Sequence, residues 1–317
     1  MPFTRTLDIQ GHRGARGLLP ENTLPAFARA LSIGVTTLEL DCAITRDGVV
    51  VVSHDSTLNP EITRDTDGVW ITRADLAIAQ FTYAELQRFD VGRIDSASAY
   101  ATRFARQQPV DGTRMPRLAD VFALARRAGN EAVRFNIETK ISPLHPERSV
   151  APDVFAGALI RVIKNHQLEH RAIVQSFDWR TLAVVQAQAP EIKTVYLSAQ
   201  QGFMNNILAH ETATPWNVGL HVSQFGNSVP RMVKALVGNT RGAIWSPFWG
   251  EVTGDNVREA QSLGLQVVVW TLNAEADMRT MMALGVDGII SDYPDVLRRV
   301  AGENGYPLPA PTPVTAA

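Results

Sequence analysis

Short β-branched runs alternate along the chain with longer amphipathic stretches, a pattern that predicts an α/β architecture with a parallel sheet. The first run, Leu7 to Gln10, ends at Gly11-His12-Arg13-Gly14. A helix follows with Leu24, Phe27, Ala28 and Leu31 on one face, a cap at Asn22 or Thr23, Pro25 in its first turn and Gly34 at its end. Thr37 to Asp41 reads as the second strand, and Asp47-Gly48 turns into Val49-Val50-Val51-Val52 as an appended hairpin. Periodicity then fails from about Thr57 to Met115, which predicts an irregular insertion with a short helix near Tyr83 to Gln87. Alternation resumes with a helix from Leu118 to Arg127 and a strand from Arg134 to Glu138. Further strands are Ala172–Gln175, Lys193–Leu197, Ala243–Ser246, Val267–Thr271 and Gly288–Ser291, eight in all with the first two. A ninth apolar run, Val218 to His221, is assigned to a loop. The expected organisation is one domain over 1–301 followed by a Pro- and Ala-rich tail, 302–317, that lacks apolar periodicity and is expected to be disordered.

Composition narrows the function classes. The 317 residues are 45% hydrophobic and 20% charged, with a formal net charge of -2, ordinary values for a chain that buries a full core. No basic stripe suggests nucleic acid. Cys42 is the single cysteine, which excludes an internal disulfide and any C-x-x-C motif. No run reaches the roughly 18 apolar residues of a membrane span. The N-terminus shows no signal-peptide pattern, so the chain reads as cytoplasmic; one whose signal peptide had been removed on export to the periplasm or medium would look the same.

The candidate chemistry lies at strand ends. Glu39 and Asp41 flank one leucine on a strand, so both carboxylates face the same way. At the end of a parallel barrel strand that face opens on the mouth where barrel enzymes carry their chemistry. Paired like charges are unfavourable without a cation or proton between them, and hard oxygen donors suit Mg²⁺ or Ca²⁺. A solvated edge strand with two surface acids is the competing explanation. Glu138 and Lys140 repeat the spacing, offering a third carboxylate and a cation for a phosphate oxygen, or simply a surface ion pair. His12 follows the first strand beside Arg13, whose planar fork matches phosphate, and His54-Asp55 follows the Val49–Val52 run. A single histidine after a strand is usually a loop residue; two of them beside paired acids suggest an acid/base pair.

Taken in order, His12-Arg13-Gly14, Pro20-Glu21-Asn22-Thr23, Glu39-Leu40-Asp41, Thr45-Arg46-Asp47-Gly48 and Val51-Val52-Ser53-His54-Asp55 closely resemble the glycerophosphodiester phosphodiesterase family. Pro116-Arg117-Leu118, Asn136–Lys140, Gln175-Ser176-Phe177, Trp270–Asn273 and Gly285–Asp292 continue the match, from about Ile9 to Pro294. The resemblance implies a (β/α)8 TIM barrel with a small subdomain inserted after the hairpin. It implies His12 and His54 as the catalytic pair, Glu39, Asp41 and Glu138 as ligands of a divalent cation, and Arg13 and Lys140 on the phosphate. Asp65-Thr66-Asp67-Gly68 stands in the insertion where a more basic stretch is expected.

The implied reaction is hydrolysis of a glycerophosphodiester to glycerol 3-phosphate and an alcohol such as choline or ethanolamine, with His12 as base and His54 as acid. Trp270 is expected to wall the glycerol or head group, whereas Trp245, Phe248 and Trp249 have core packing as a serious rival. His145, His166, His170 and His210 read as surface residues, and His221 as structural. Two alternatives stand beside this reading. One is lysophospholipase D-like action on lysolipids, which needs an apolar groove by the mouth, placed in the insertion; the other is a non-catalytic barrel that binds phosphate esters.

Overall fold

Every one of the eight predicted runs becomes a strand, and the eight close on themselves. The structure is a computed structural model that describes residues 6–238 and 242–316. Its first strands are β1 (Asp8–Gly11), β2 (Thr37–Ile44), β3 (Val50–Val52), β4 (Arg134–Thr139), β5 (Ala172–Ser176) and β6 (Lys193–Ser198). A small ribbon of β7 (Gln200–Gln201) and β8 (Met204–Asn205) precedes β9 (Ile244–Pro247), β10 (Gln266–Val269) and β11 (Gly288–Ser291). Parallel pairing runs β1-β11-β10-β9-β6-β5-β4-β2, and β1 pairs back onto β2 to complete the barrel. β3 adds antiparallel to the far end of β2, Cys42 opposite Val52, as the Asp47-Gly48 turn requires. Val218 to His221 forms no strand and lies in the loop after β8.

The helices are α1 (Leu24–Ile33), α2 (Tyr83–Leu86), α3 (Ala99–Arg103), α4 (Leu118–Arg127), α5 (Pro152–Asn165), α6 (Trp179–Gln188), α7 (Val229–Val237), α8 (Gly254–Ser262), α9 (Glu275–Leu284) and α10 (Pro294–Glu303). The Thr23 hydroxyl accepts from Ala26 N to start α1, and Gly34, in the left-handed region, ends it.

The two-residue period of each strand sorts its side chains between two cores. Leu38, Leu40 and Cys42 of β2 join Ile9, Phe135 and Ile137 in the layer between sheet and helices. Inside the barrel, Ile173, Val195, Ile244, Val268 and Ile290 pack against one another, with Trp270 against them. Glu39 and Asp41 therefore point inward.

The insertion has a core of its own, where Leu58, Ile78, Leu86 and Met115 pack on Ala43 and Val51 of the hairpin. Its short helix is α2. A second one, α3, is not evident in the periodicity; it begins where the Ser98 hydroxyl accepts from Ala101 N. Beyond Glu303 the chain is irregular yet lies against the barrel. Thr312 N donates to Leu31 O at 2.9 Å, Asn130 Nδ2 to Thr312 Oγ1 at 3.0 Å and an Arg298 guanidinium nitrogen to Pro309 O at 2.7 Å. Val314 and Ala316 pack on the outer core. The tail expected to be disordered thus lies against the barrel, held by packing and by backbone and side-chain hydrogen bonds, which need no apolar periodicity.

Candidate active site

Register assembles the carboxylates. Asp41 on β2 sits directly beside Glu138 on β4, with Glu39 beside Asn136 one pleat below. The carboxylate oxygens of Glu39, Asp41 and Glu138 approach within 4.8 Å of one another, and all three residues are buried. Glu39 accepts Arg13 N at 2.9 Å through Oε2 and Gln175 Nε2 at 2.6 Å through Oε1. Asp41 Oδ2 accepts from Asn22 Nδ2 at 2.8 Å. Lys140 Nζ lies 2.7 Å from Glu138 Oε1 and 3.8 Å from Asp41 Oδ1.

Three buried acids cannot all ionise freely. Burial, then the charge of Asp41, pushes the Glu39 carboxyl well above its ordinary value. Burial works in the same direction on Asp41, but His54, Lys140 and Arg13 outweigh it and hold that carboxylate low. Asp41 Oδ1 is buried without a hydrogen-bond partner. An unsatisfied anionic oxygen amid clustered carboxylates fits a divalent cation, and the all-oxygen donor set fits a hard one.

The loop after β1 delivers His12 and Arg13 to this cluster. It turns through Gly14, whose φ is +83° and whose absent Cβ would lie 2.7 Å from the Ala26 backbone, so only glycine fits there. His12 Nδ1 lies 2.6 Å from Asp292 Oδ1, the residue that follows β11, while its Nε2 is 3.9 Å from Glu39 Oε2. An ionised carboxylate only accepts, so Nδ1 carries the proton and Nε2 keeps its lone pair toward the cluster. Burial, then Arg16, lowers the His12 pKa from 6.5 to about 4, overriding the opposing pull of Asp292. Arg13 reaches Glu21 Oε1 at 2.6 Å and Asp41 Oδ2 at 3.4 Å.

His54, after β3, is oriented likewise: its Nδ1 lies 2.8 Å from Asp55 Oδ1, and Asn59 Nδ2 donates to the other Asp55 oxygen at 3.0 Å. Burial opposes ionisation of Asp55, but His54 and then Arg13 keep it below the usual carboxylate range. Both histidines, Arg13, Lys140 and Trp270 line the same cavity of about 170 Å³, to which Glu39 and Glu138 also contribute. The Trp270 ring meets Phe177 edge-on at 5.3 Å and donates from Nε1 to Ser246 O at 2.9 Å, leaving it as a fixed wall. Trp245, by contrast, belongs to the outer core and donates to Ser198 Oγ. His221 caps a short helical turn from inside a loop.

Some residues of the site carry no role in the sequence reading. Asp292, Asn273, Glu21, Asn22 and Gln175 stand inside the motifs quoted above; Gln175, Asn273 and Asp292 lie at or soon after strand ends, and Glu21 and Asn22 just before α1. Arg16 and Tyr100 stand outside those motifs. Arg16 grips both oxygens of Asp292, at 2.7 and 3.0 Å, and Tyr100 reaches it from the insertion.

A closed parallel barrel whose mouth holds two carboxylate-oriented histidines around clustered acids and cations has the groups that a phosphoric diester hydrolase needs. A family model described as the glycerophosphoryl diester phosphodiesterase family matches residues 12–296, and the chain belongs to that family. A glycerophosphodiester phosphodiesterase of Caldanaerobacter subterraneus subsp. tengcongensis is 30% identical over 95% of this chain and 100% of its own length. The crystal structure of a putative glycerophosphoryl diester phosphodiesterase from Silicibacter pomeroyi superposes with a TM-score of 0.83 at 35% identity, covering 96% of each chain. A human lysophospholipase D is 26% identical over 90% of this chain and 83% of its own length. No helix among the described residues is long and apolar enough to cross a membrane.

Proposed function

We propose that this protein hydrolyses glycerophosphodiesters to glycerol 3-phosphate and an alcohol, with His12 and His54 as its base and acid. The observation that carries this reading is the pair of histidines, each held through Nδ1 by its own carboxylate, at one cavity with the buried acid cluster. Glu39, Asp41 and Glu138 would hold a divalent cation, Mg²⁺ or Ca²⁺, which when bound offsets the charge of the diester and stabilises charge built up at phosphorus. Arg13 and Lys140 contact the non-bridging oxygens, and Trp270 walls the bound glycerol or head group.

In this scheme the two histidines pass protons in turn. Neutral His12 accepts the proton of the glycerol 2-hydroxyl at Nε2, and that oxygen attacks phosphorus. The new P–O bond closes a cyclic phosphodiester as the bond to the alcohol breaks. His54, as the acid, gives a proton from Nε2 to the departing alkoxide. Water then reverses the roles: His54 takes its proton as the water oxygen bonds to phosphorus, the P–O bond to the 2-oxygen breaks, and His12 returns a proton to that oxygen. The test is release of glycerol 3-phosphate from glycerophosphocholine, glycerophosphoethanolamine and glycerophosphoglycerol, with chelator and with Mg²⁺ or Ca²⁺ restored. Full activity in chelator, or near-normal turnover by His12→Ala, would defeat the proposal.

A second reading rests on a second cavity. A groove of about 370 Å³ opens beside His54, where Ile141, Leu144, Met204 and Trp216 offer apolar surface. It is not built by the body of the insertion, the place the sequence suggested for it, but by the loops after β3, β4 and β8. Such a groove suits the acyl glycerol of a lysolipid. Rates on lysophosphatidylcholine against glycerophosphocholine separate the two readings.

A further inference from the structure

We infer that Tyr100, on the inserted subdomain, is a positioning residue that couples the insertion to the base His12 and to Arg13. This rests on the reading of His12 as the base and adds a residue to which no role has been given.

The contacts form one connected path. His12 is held by Asp292, and Asp292 by the Arg16 fork and by Asn273 Nδ2 at 2.7 Å. The remaining Arg16 terminal nitrogen donates to the Tyr100 phenol oxygen at 3.1 Å. The phenol O–H in turn donates to Glu21 Oε2, and the other Glu21 oxygen accepts from Arg13 at 2.6 Å. A single hydroxyl thus closes two arms, Arg16–Asp292–His12 and Glu21–Arg13. Donor and acceptor both find charged partners, the strong kind of hydrogen bond.

The insertion is built to hold that hydroxyl still. Phe104, one turn further on, is 2% exposed; the Tyr100 ring packs on it at 4.8 Å, and the Arg16 guanidinium stacks over it at 4.5 Å. Gln107 Nε2 donates to Arg16 O at 2.7 Å, and Gln108 N to Leu18 O at 2.9 Å. The segment from Ser98 to Gln108 is therefore stitched to the loop that carries His12, Arg13 and Arg16. A passive cover over the mouth would need none of these polar contacts. Because active-site geometry tolerates only small displacements, a group that fixes the Arg16 fork fixes the base.

The test uses the full chain with saturating divalent cation and the fastest diester of the panel above. Tyr100→Phe keeps the ring on Phe104 and removes only the hydroxyl. Its kcat should fall about tenfold or more, for the loss of two hydrogen bonds to charged groups, while the affinity for the cation stays at the wild-type value. Arg16→Lys should also lower kcat, and the double variant should fall no further than roughly the worse single one, because the two residues act along one path. Wild-type kcat in Tyr100→Phe, or losses that multiply in the double variant, overturns the inference. Should Tyr100→Phe melt early, the cycle is read at a temperature where all four proteins are folded, and multiplying losses overturn it there too. If His12→Ala keeps its turnover, the proposed function fails; an inactive His12→Ala beside a fully active Tyr100→Phe removes only the relay.

Discussion

With His12 as the proposed base, replacing Asp292 by Asn isolates the contribution of base orientation, because the substitution changes the charge and one atom but almost no volume. The carboxylate accepts four donors: His12 Nδ1 at 2.6 Å, Arg16 at 2.7 and 3.0 Å, and Asn273 Nδ2 at 2.7 Å. It is fully buried, and although burial opposes its ionisation, Arg16 and then His12 hold its pKa well below the ordinary value. An amide has one acceptor oxygen. If that oxygen stays with Arg16 and Asn273, the NH₂ faces His12, which must offer the Nδ1 lone pair and move its proton to Nε2. The base form is then lost. Losing positioned general-base catalysis costs about 10²- to 10⁴-fold in rate, or roughly 3–5 kcal/mol of transition-state stabilisation. Stability falls as well, since Arg16 keeps a buried charge without its counter-ion. Breaking a buried pair costs about 3–5 kcal/mol, and the retained amide contacts put this case near the lower figure. For a domain of this size that is a drop in Tm of roughly 5–10 °C. The assay is kcat/KM for glycerol 3-phosphate release, measured well below the Tm of the variant and alongside a thermal melt. A folded Asp292→Asn within threefold of wild-type kcat/KM would refute the orienting role, whatever its Tm.

Three further outcomes are expected. His54→Ala should lose orders of magnitude on a choline or ethanolamine diester, and far less on a p-nitrophenyl diester whose leaving group departs without a proton; equal losses on both would remove His54 from the acid role. His12 has a folded pKa of about 4 against an ordinary value of 6.5, so between those values the unfolded chain binds the proton more readily. This contribution to stability is complete above about pH 6.5 and is lost as the pH falls toward 4; if His12→Gln, compared by urea unfolding, left the pH dependence in that window unchanged, the shift would not be real. Deleting the residues after Glu303 removes the contacts of Pro309 and Thr312, worth about 1 kcal/mol each. Tm should fall by several degrees with kcat unchanged, and an unchanged Tm would show that the docked tail adds nothing.

What the sequence made legible follows the range of the interactions involved. The strands, α1 and the hairpin turn are local: a two-residue period, a Thr cap and an Asp-Gly turn each act within a few residues. Glu39 and Asp41 share a face for the same reason, and β2 against β4 then needs only one register to bring Glu138 beside Asp41. Asp292 is different in kind. It meets His12 because β11 closes the barrel onto β1, with Ser291 opposite Gly11, and no local pattern encodes that closure. Tyr100 is hidden more deeply, since α3 is short, lies in a stretch without apolar period, and is held to the barrel by side-chain contacts rather than by a repeating face. Arg16 stands in the irregular loop after β1, where no period marks it. The tail, expected to be disordered for want of an apolar period, is held by scattered hydrogen bonds and packing that leave no trace in composition. Chemistry at a strand end can therefore be read one strand at a time, and so can Asp55 beside His54, whereas the residue that orients His12 comes from the other end of the chain. For His12 the loop after β1 supplies the side chain and barrel closure supplies its alignment. For that reason variants at Asp292, Arg16 and Tyr100 test the mechanism more sharply than replacement of the histidines themselves.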